Sequence, residues 1–181
     1  MERLFVAIGL PDYVNQALAA LQEPTRGIRW SLPENYHLTL FFLGEVDPLH
    51  TPAIRAAIRQ IQVHSFILPI GGVGHFPPRG QPSVLWAGIG SGHPHLFQLQ
   101  HHLTDLLFNL GFDPGDRAWK PHITLARCSG VSPETVRQFE KRHAEFETAP
   151  ARVDQFSLLS SERRGPRHFY SVVESFPLLS E

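Results

Sequence analysis

Hydrophobic residues along the chain fall into short alternating runs, separated by stretches in which they recur at helical spacing. Leu4–Leu10 is an apolar strand stopped by Pro11. Asp12 is suited to cap a helix running to about Gln22, with Val14, Leu18 and Leu21 on one stripe. The stretch PENYHLTLFFLGEV, residues 33–46, alternates as a strand. Pro48 to about Ile61 is predicted as a helix whose stripe is Ile54, Ala57, Ile58 and Ile61. Phe66–Val73 is predicted as a strand, GHFPPRGQP as a loop, and Val84–Ile89 as a further strand. A helix from about His95 to Leu110 follows, ended by Gly111. A strand in WKPHITLAR, residues 119–127, precedes a helix that begins at Ser132-Pro133-Glu134, with Ser132 as its cap. Phe156–Ser160 and His168–Glu174 are the last predicted strands.

The order strand, helix, strand, helix, strand therefore occurs twice, with one strand left at the end. RLFVAIG and VLWAGIG align as the openings of the two copies. This predicts an internal duplication and an α+β class: a bilobal duplicated fold, two mainly antiparallel sheets with outer helices around a central cleft. Residues 1–181 are expected to form a single domain of two pseudo-symmetric lobes.

Composition narrows the function classes. Apolar residues make up 42% and charged residues 18%, a globular balance and not a disordered one. The net charge of −1 gives no overall basic field for a long duplex, so any nucleic-acid contact must be local. Cys128 is the single cysteine, which rules out an intrachain disulfide and a paired-cysteine redox motif. MERLFVAIGLPD lacks a basic start and a cleavage site and is predicted as a strand, not a signal peptide. No apolar run reaches the roughly 18 residues of a membrane span. A cytoplasmic, monomeric protein without membrane association is expected.

The chemistry lies in the second predicted strand and its repeat. A strand has period two, so His37 and Thr39 project to one side, as do His122 and Thr124. One such motif reads most simply as a polar stripe on a solvent-facing strand; two in corresponding places of both repeats do not. Pseudo-symmetric lobes would bring two imidazoles and two hydroxyls to one small volume. One imidazole neutral and one charged supply a general base and a general acid, with the hydroxyls as donors to an oxyanion. In-line displacement at phosphorus by activated water needs these parts, and composition does not say which histidine is acid or base. A metal site is the rival, but two histidines without a carboxylate partner make a poor ligand set. His93, His95, His101 and His102 in HPHLFQLQHH are more simply helix-coating residues.

HLTLFFLGEV and KPHITLAR resemble the two signature motifs of the 2H phosphoesterase superfamily. RLFVAIGLP, FPPRGQPSVLW and FSLLSSERRGPRHFYSVVESFPL are similar to its RNA 2′,3′-cyclic phosphodiesterase (LigT-like) branch, also called 2′-5′ RNA ligases. The resemblance implies catalysis without a metal or other cofactor, on RNA ends or nucleotides carrying a 2′,3′-cyclic phosphate, giving a 2′-phosphomonoester. It also implies His37 as proton donor, His122 as proton acceptor, and Thr39 and Thr124 as phosphate-binding residues. Arg127 resembles a phosphate-binding arginine of this branch, although strand parity points it away from His122 unless the strand bulges or ends there. Phe41 stands where many relatives have lysine; by parity it shares the face of His37, either to stack on a base or to wall the cleft. Lys120 shares the face of His122 on the same count. Arg163, Arg164 and Arg167 form a basic loop, either a guide for RNA ends or a solvated surface. A nucleotide-binding module without catalysis is the alternative function, and so is a hydrolase of another cyclic phosphate or a 2′-5′ oligonucleotide.

Overall fold

A computed structural model of the chain describes residues 1–180. Its centre is β1 (Glu2–Gly9), in which Leu4 to Ile8 are all buried. That continuous apolar run follows from cover on both faces. Leu4, Val6 and Ile8 join the helices' core, while Phe5 packs on His37 and Tyr170 on the other side. β1 pairs antiparallel with β3 (His37–Val46) and with β9 (Gln155–Arg164), and β9 pairs with β10 (Arg167–Pro177). In the other half, β7 (Ile123–Cys128) pairs with β6 (Val84–Ala87), and β6 with β5 (Val73–Phe76). β2 (Ile28–Trp30) pairs with the outer end of β7. β4 (Phe66–Leu68) and β8 (Ala151–Val153) make a separate two-stranded sheet.

The two inner strands meet at one register pair, Leu38 with Ile123, and β3 and β7 share no further pair. Two long-range bonds lock this junction. Trp119 Nε1 donates to Thr39 O at 3.1 Å, and Ser31 N donates to Leu125 O at 2.9 Å. Helices α1 (Asp12–Ala19), α2 (Thr51–Ile58), α3 (Pro94–Asn109) and α4 (Pro133–Arg142) contribute Val14, Leu18, Ile54, Leu99, Leu103 and Phe139 to one core. Ser132 caps α4 as its sequence predicts, accepting from Thr135 N at 3.1 Å.

Several boundaries differ from expectation. The segment 66–73 is not one strand; β4 ends at Leu68, and β5 starts at Val73 and runs into the stretch predicted as loop. Gly74 explains why: a Cβ there would lie 2.2 Å from Trp86 Cζ2, so the bare backbone lets the indole lie across β5. The helix predicted from Pro48 is a 3-10 turn, Pro48–His50, followed by α2. Arg163, Arg164 and Arg167 lie not in a loop but at the end of the β9–β10 hairpin. This hairpin runs past the β1–β9 register, which ends at Arg3 with Ser161. It reaches back to the start of β3, where Asn35 Nδ2 donates to His168 O at 2.9 Å.

Candidate active site

Each histidine is held by the carbonyl two residues before it. His37 Nδ1 is 2.7 Å from Asn35 O, and His122 Nδ1 is 2.7 Å from Lys120 O. A carbonyl only accepts, so both Nδ1 atoms carry the proton and both Nε2 atoms are left for chemistry. His37 Nε2 lies 3.0 Å from Thr39 Oγ1, whose hydroxyl donates to it while the ring is neutral. Aromatic walls fix the rings. Phe5 and Tyr170 stand against His37 at centroid distances of 5.0 and 5.3 Å, and Phe76 meets His122 edge-on at 4.9 Å.

The two imidazoles are close enough to feel each other. Burial pushes the His37 pKa down, its bond to Asn35 O opposes this, and the charge of His122 lowers it further. Burial also lowers His122, opposed by the bond to Lys120 O, and the Arg127 guanidinium adds to the lowering. The rings are therefore biased toward neutrality.

Arg127 reaches this face because β7 bulges. In the β6–β7 register Leu85 opposes Ala126 and Trp86 opposes Thr124, so Leu125 is the extra residue. The bulge turns Ala126 into the core and Arg127 out to the side of Thr124. β3 bulges at the matching place: Val6 opposes Phe41 and Ala7 opposes Thr39, leaving Leu40 unpaired. Parity is thus reversed beyond Thr39, and Phe41 does not reach the cleft. It is 4% exposed within the core, whereas Phe42 is 66% exposed beside Phe5 at 6.1 Å. Phe42 holds the position in β3 that Arg127 holds in β7.

Lys120 precedes β7 and follows no strand parity, yet its Nζ lies over the Phe76 ring at 5.9 Å from the centroid. Beside it, Trp86, Trp119, Pro121 and a run of glycines line a pocket of about 510 Å³. Arg164 is held by Glu162 at 2.8 Å and stacks on Phe169, so it faces away from the cleft chemistry. His93 caps α3 by accepting from His95 N, and His101 lies 3.4 Å from Asp105. Among the described residues, no group of three or more His, Cys, Asp or Glu side chains is placed to hold a metal ion. Phe5, Phe76 and Tyr170 were missed in the sequence because aromatic residues in strands read as ordinary core.

A sheet of this order, with a histidine and threonine pair on each inner strand, defines a two-histidine phosphoesterase class. The model of the LigT-like phosphoesterase family matches residues 8–86 and 89–170, and the chain belongs to that family. It is 32% identical to the RNA 2′,3′-cyclic phosphodiesterase of Thermus thermophilus, over 99% of this chain and 91% of the relative. It is 31% identical to the enzyme of that name from Aeropyrum pernix, over 74% and 77%. A crystal structure of a Thermus thermophilus protein superposes with a TM-score of 0.85 at 30% identity, covering 99% of both chains. Escherichia coli LigT complexed with 3′-AMP superposes with a TM-score of 0.81 at 25% identity, covering 98% of both.

Proposed function

We propose that the chain is an RNA 2′,3′-cyclic phosphodiesterase that opens a terminal 2′,3′-cyclic phosphate to a 2′-phosphomonoester. The observation that carries this reading is the matched pair of Nδ1–carbonyl bonds, which turns both Nε2 atoms to proton transfer, that of His37 in contact with Thr39 Oγ1. His122 Nε2 takes a proton from water as the water oxygen bonds to phosphorus. The P–O3′ bond breaks, and His37, protonated at Nε2, gives its proton to the leaving 3′-oxygen. The hydroxyls of Thr39 and Thr124 and the Arg127 guanidinium take the equatorial phosphate oxygens. When His37 is protonated at Nε2, the Thr39 hydroxyl no longer donates to that atom, which frees the threonine proton for a phosphate oxygen. A 5′-hydroxyl in place of water would give a 2′-5′ linkage by the same bond changes, the ligase activity of the scheme. The names of the relatives and the 3′-AMP complex of Escherichia coli LigT support an RNA-derived substrate.

Product analysis on RNA ending in a 2′,3′-cyclic phosphate tests the reading. A 2′-phosphomonoester is expected, with His37→Gln and His122→Gln each slower by at least about a hundredfold. Near-wild-type turnover in either variant, with a normal melting curve, would overturn the two-histidine mechanism. Binding without turnover in the wild type would favour the nucleotide-binding module instead. Activity is expected to survive EDTA because side chains supply every proton and equatorial contact; loss on chelation with recovery on a divalent ion contradicts this.

A further inference from the structure

The side of the cleft toward the β9–β10 hairpin carries exposed arginines that no carboxylate holds. Arg29 and Arg127 are directly opposite each other across β2 and β7. Like charges so placed repel, and an anion between them relieves the repulsion. Arg3, Ser161 and Tyr170 form one cross-strand row, and Arg163 and His168 the next. Phe5, two residues from Arg3 on β1, packs on His37, as does Tyr170, so these rows share the face of the histidines. The bond from Asn35 Nδ2 to His168 O ties the hairpin end to the residue two before His37. Burial, and after it the charges of Arg3, Arg163, Arg127 and Arg29, hold the His168 imidazole below its ordinary value, so four guanidinium groups act on one ring.

Among the described residues none of these four arginines is in an ion pair. Arg55 and Arg59 share Glu174, Arg142 is on Glu23, and Arg137 is on Glu134. Glu45 stands opposite Arg3 in the β1–β3 register without pairing with it. Alongside, the exposed Phe42 side chain supplies an aromatic ring on which a base can stack. One cyclic phosphate occupies Thr39, Thr124 and Arg127; three further guanidinium groups call for further phosphates.

We infer that Arg29, Arg3 and Arg163 continue from Arg127 as a track for the phosphodiester backbone leading into the cleft, and are the residues that favour the end of a single-stranded polyribonucleotide over a cyclic mononucleotide. This rests on the cleft being the cyclic-phosphate site proposed above. The test compares kcat/KM for a short oligoribonucleotide ending in a 2′,3′-cyclic phosphate with that for a 2′,3′-cyclic mononucleotide, in the wild type and in Arg29→Gln/Arg163→Gln. The oligonucleotide-to-mononucleotide ratio is expected to fall at least about tenfold in the double variant. Its salt slope on the oligonucleotide should become shallower by about 1.4, or about 0.7 for each of two lost phosphate contacts. Relief of the Arg29–Arg127 repulsion should keep its melting temperature at or above that of the wild type. Lys141→Gln, on the exposed side of α4, should leave the ratio intact.

An unchanged ratio in the double variant, an equal fall on both substrates, or an equal effect of Lys141→Gln would each overturn the track. If the wild type turns over neither substrate, the hydrolase reading fails, and the track is read by fluorescence anisotropy of an oligoribonucleotide with a terminal 2′-phosphate. Weaker binding by the double variant then supports it, and equal binding overturns it.

Discussion

A buried imidazole fixed at Nδ1 by a carbonyl is a base that the fold has already oriented, and the fold bears a stability cost for it. The His37 pKa is pushed down chiefly by burial, so protonation is harder in the folded chain than in the unfolded one, where imidazole titrates near ~6.5. Above that value both states are neutral at this site and no penalty applies. As pH falls through the unfolded value toward the lower folded one, the unfolded state binds the proton first and stability is lost. His122 is shifted in the same direction and adds to the loss. His37→Gln removes the titrating group while keeping a polar side chain. The difference between its stability and that of the wild type is therefore expected to move in the variant's favour between about pH 7 and 5. Urea titrations at several pH values measure this, and a pH-independent difference would mean that the ring is not desolvated as its surroundings indicate.

At the scale of elements, the unpaired leucine that follows the His-x-Thr motif in each inner strand decides which side chains face the cleft. Leu40 and Leu125 both stand three residues after the motif histidine, and each bulge exchanges the faces of the residues that follow. Phe41→Ala is accordingly expected to cost about 3–5 kcal/mol of stability, the range for a buried phenylalanine. Phe42→Ala should stay within about 0.5 kcal/mol, as exposed positions do. Denaturant midpoints for the two variants decide the matter, and the reverse order would restore Phe41 to the cleft. This is also where the sequence was hard to read. His37 and Thr39 could be placed because a polar residue at every second position is visible, but LFF in β3 is apolar on both faces and hides the slip. β5 was lost to Gly74, which punctuates the pattern although its missing side chain is what seats Trp86. β2 and β8, three residues each, are too short to show a period. The basic residues near 165 suggested a loop because the hairpin runs past β1, where no core imposes alternation.

For the molecule as a whole, the proposed catalysis requires two histidine-bearing strands that meet at one register pair, Leu38 with Ile123, beside the Trp119 bond to Thr39 O and the Ser31 bond to Leu125 O. The duplication was legible in the sequence because both copies keep the order of elements and the His-x-Thr motif; the junction was not, since a one-pair contact leaves no periodic trace. Because each half contributes one imidazole, the working protonation state belongs to the pair. In the proposed mechanism one ring is neutral and the other charged, so the rate on a 2′,3′-cyclic nucleotide should be bell-shaped in pH. In the free protein both pKa values are displaced downward, and the charge of one ring opposes the charging of the other. The singly protonated pair therefore peaks below the ordinary imidazole value of ~6.5, and the maximum of kcat/KM should lie on that acid side. Bound phosphate is negative and favours the protonated forms, so both limbs of the kcat profile should lie at higher pH than those of kcat/KM. Steady-state kinetics across pH 5 to 9, with chemistry shown to be rate-limiting, measure both curves. A flat profile would refute the acid–base pairing even if both histidines proved essential. A kcat/KM maximum well above neutrality would mean that the cleft holds its imidazoles charged, contrary to their burial.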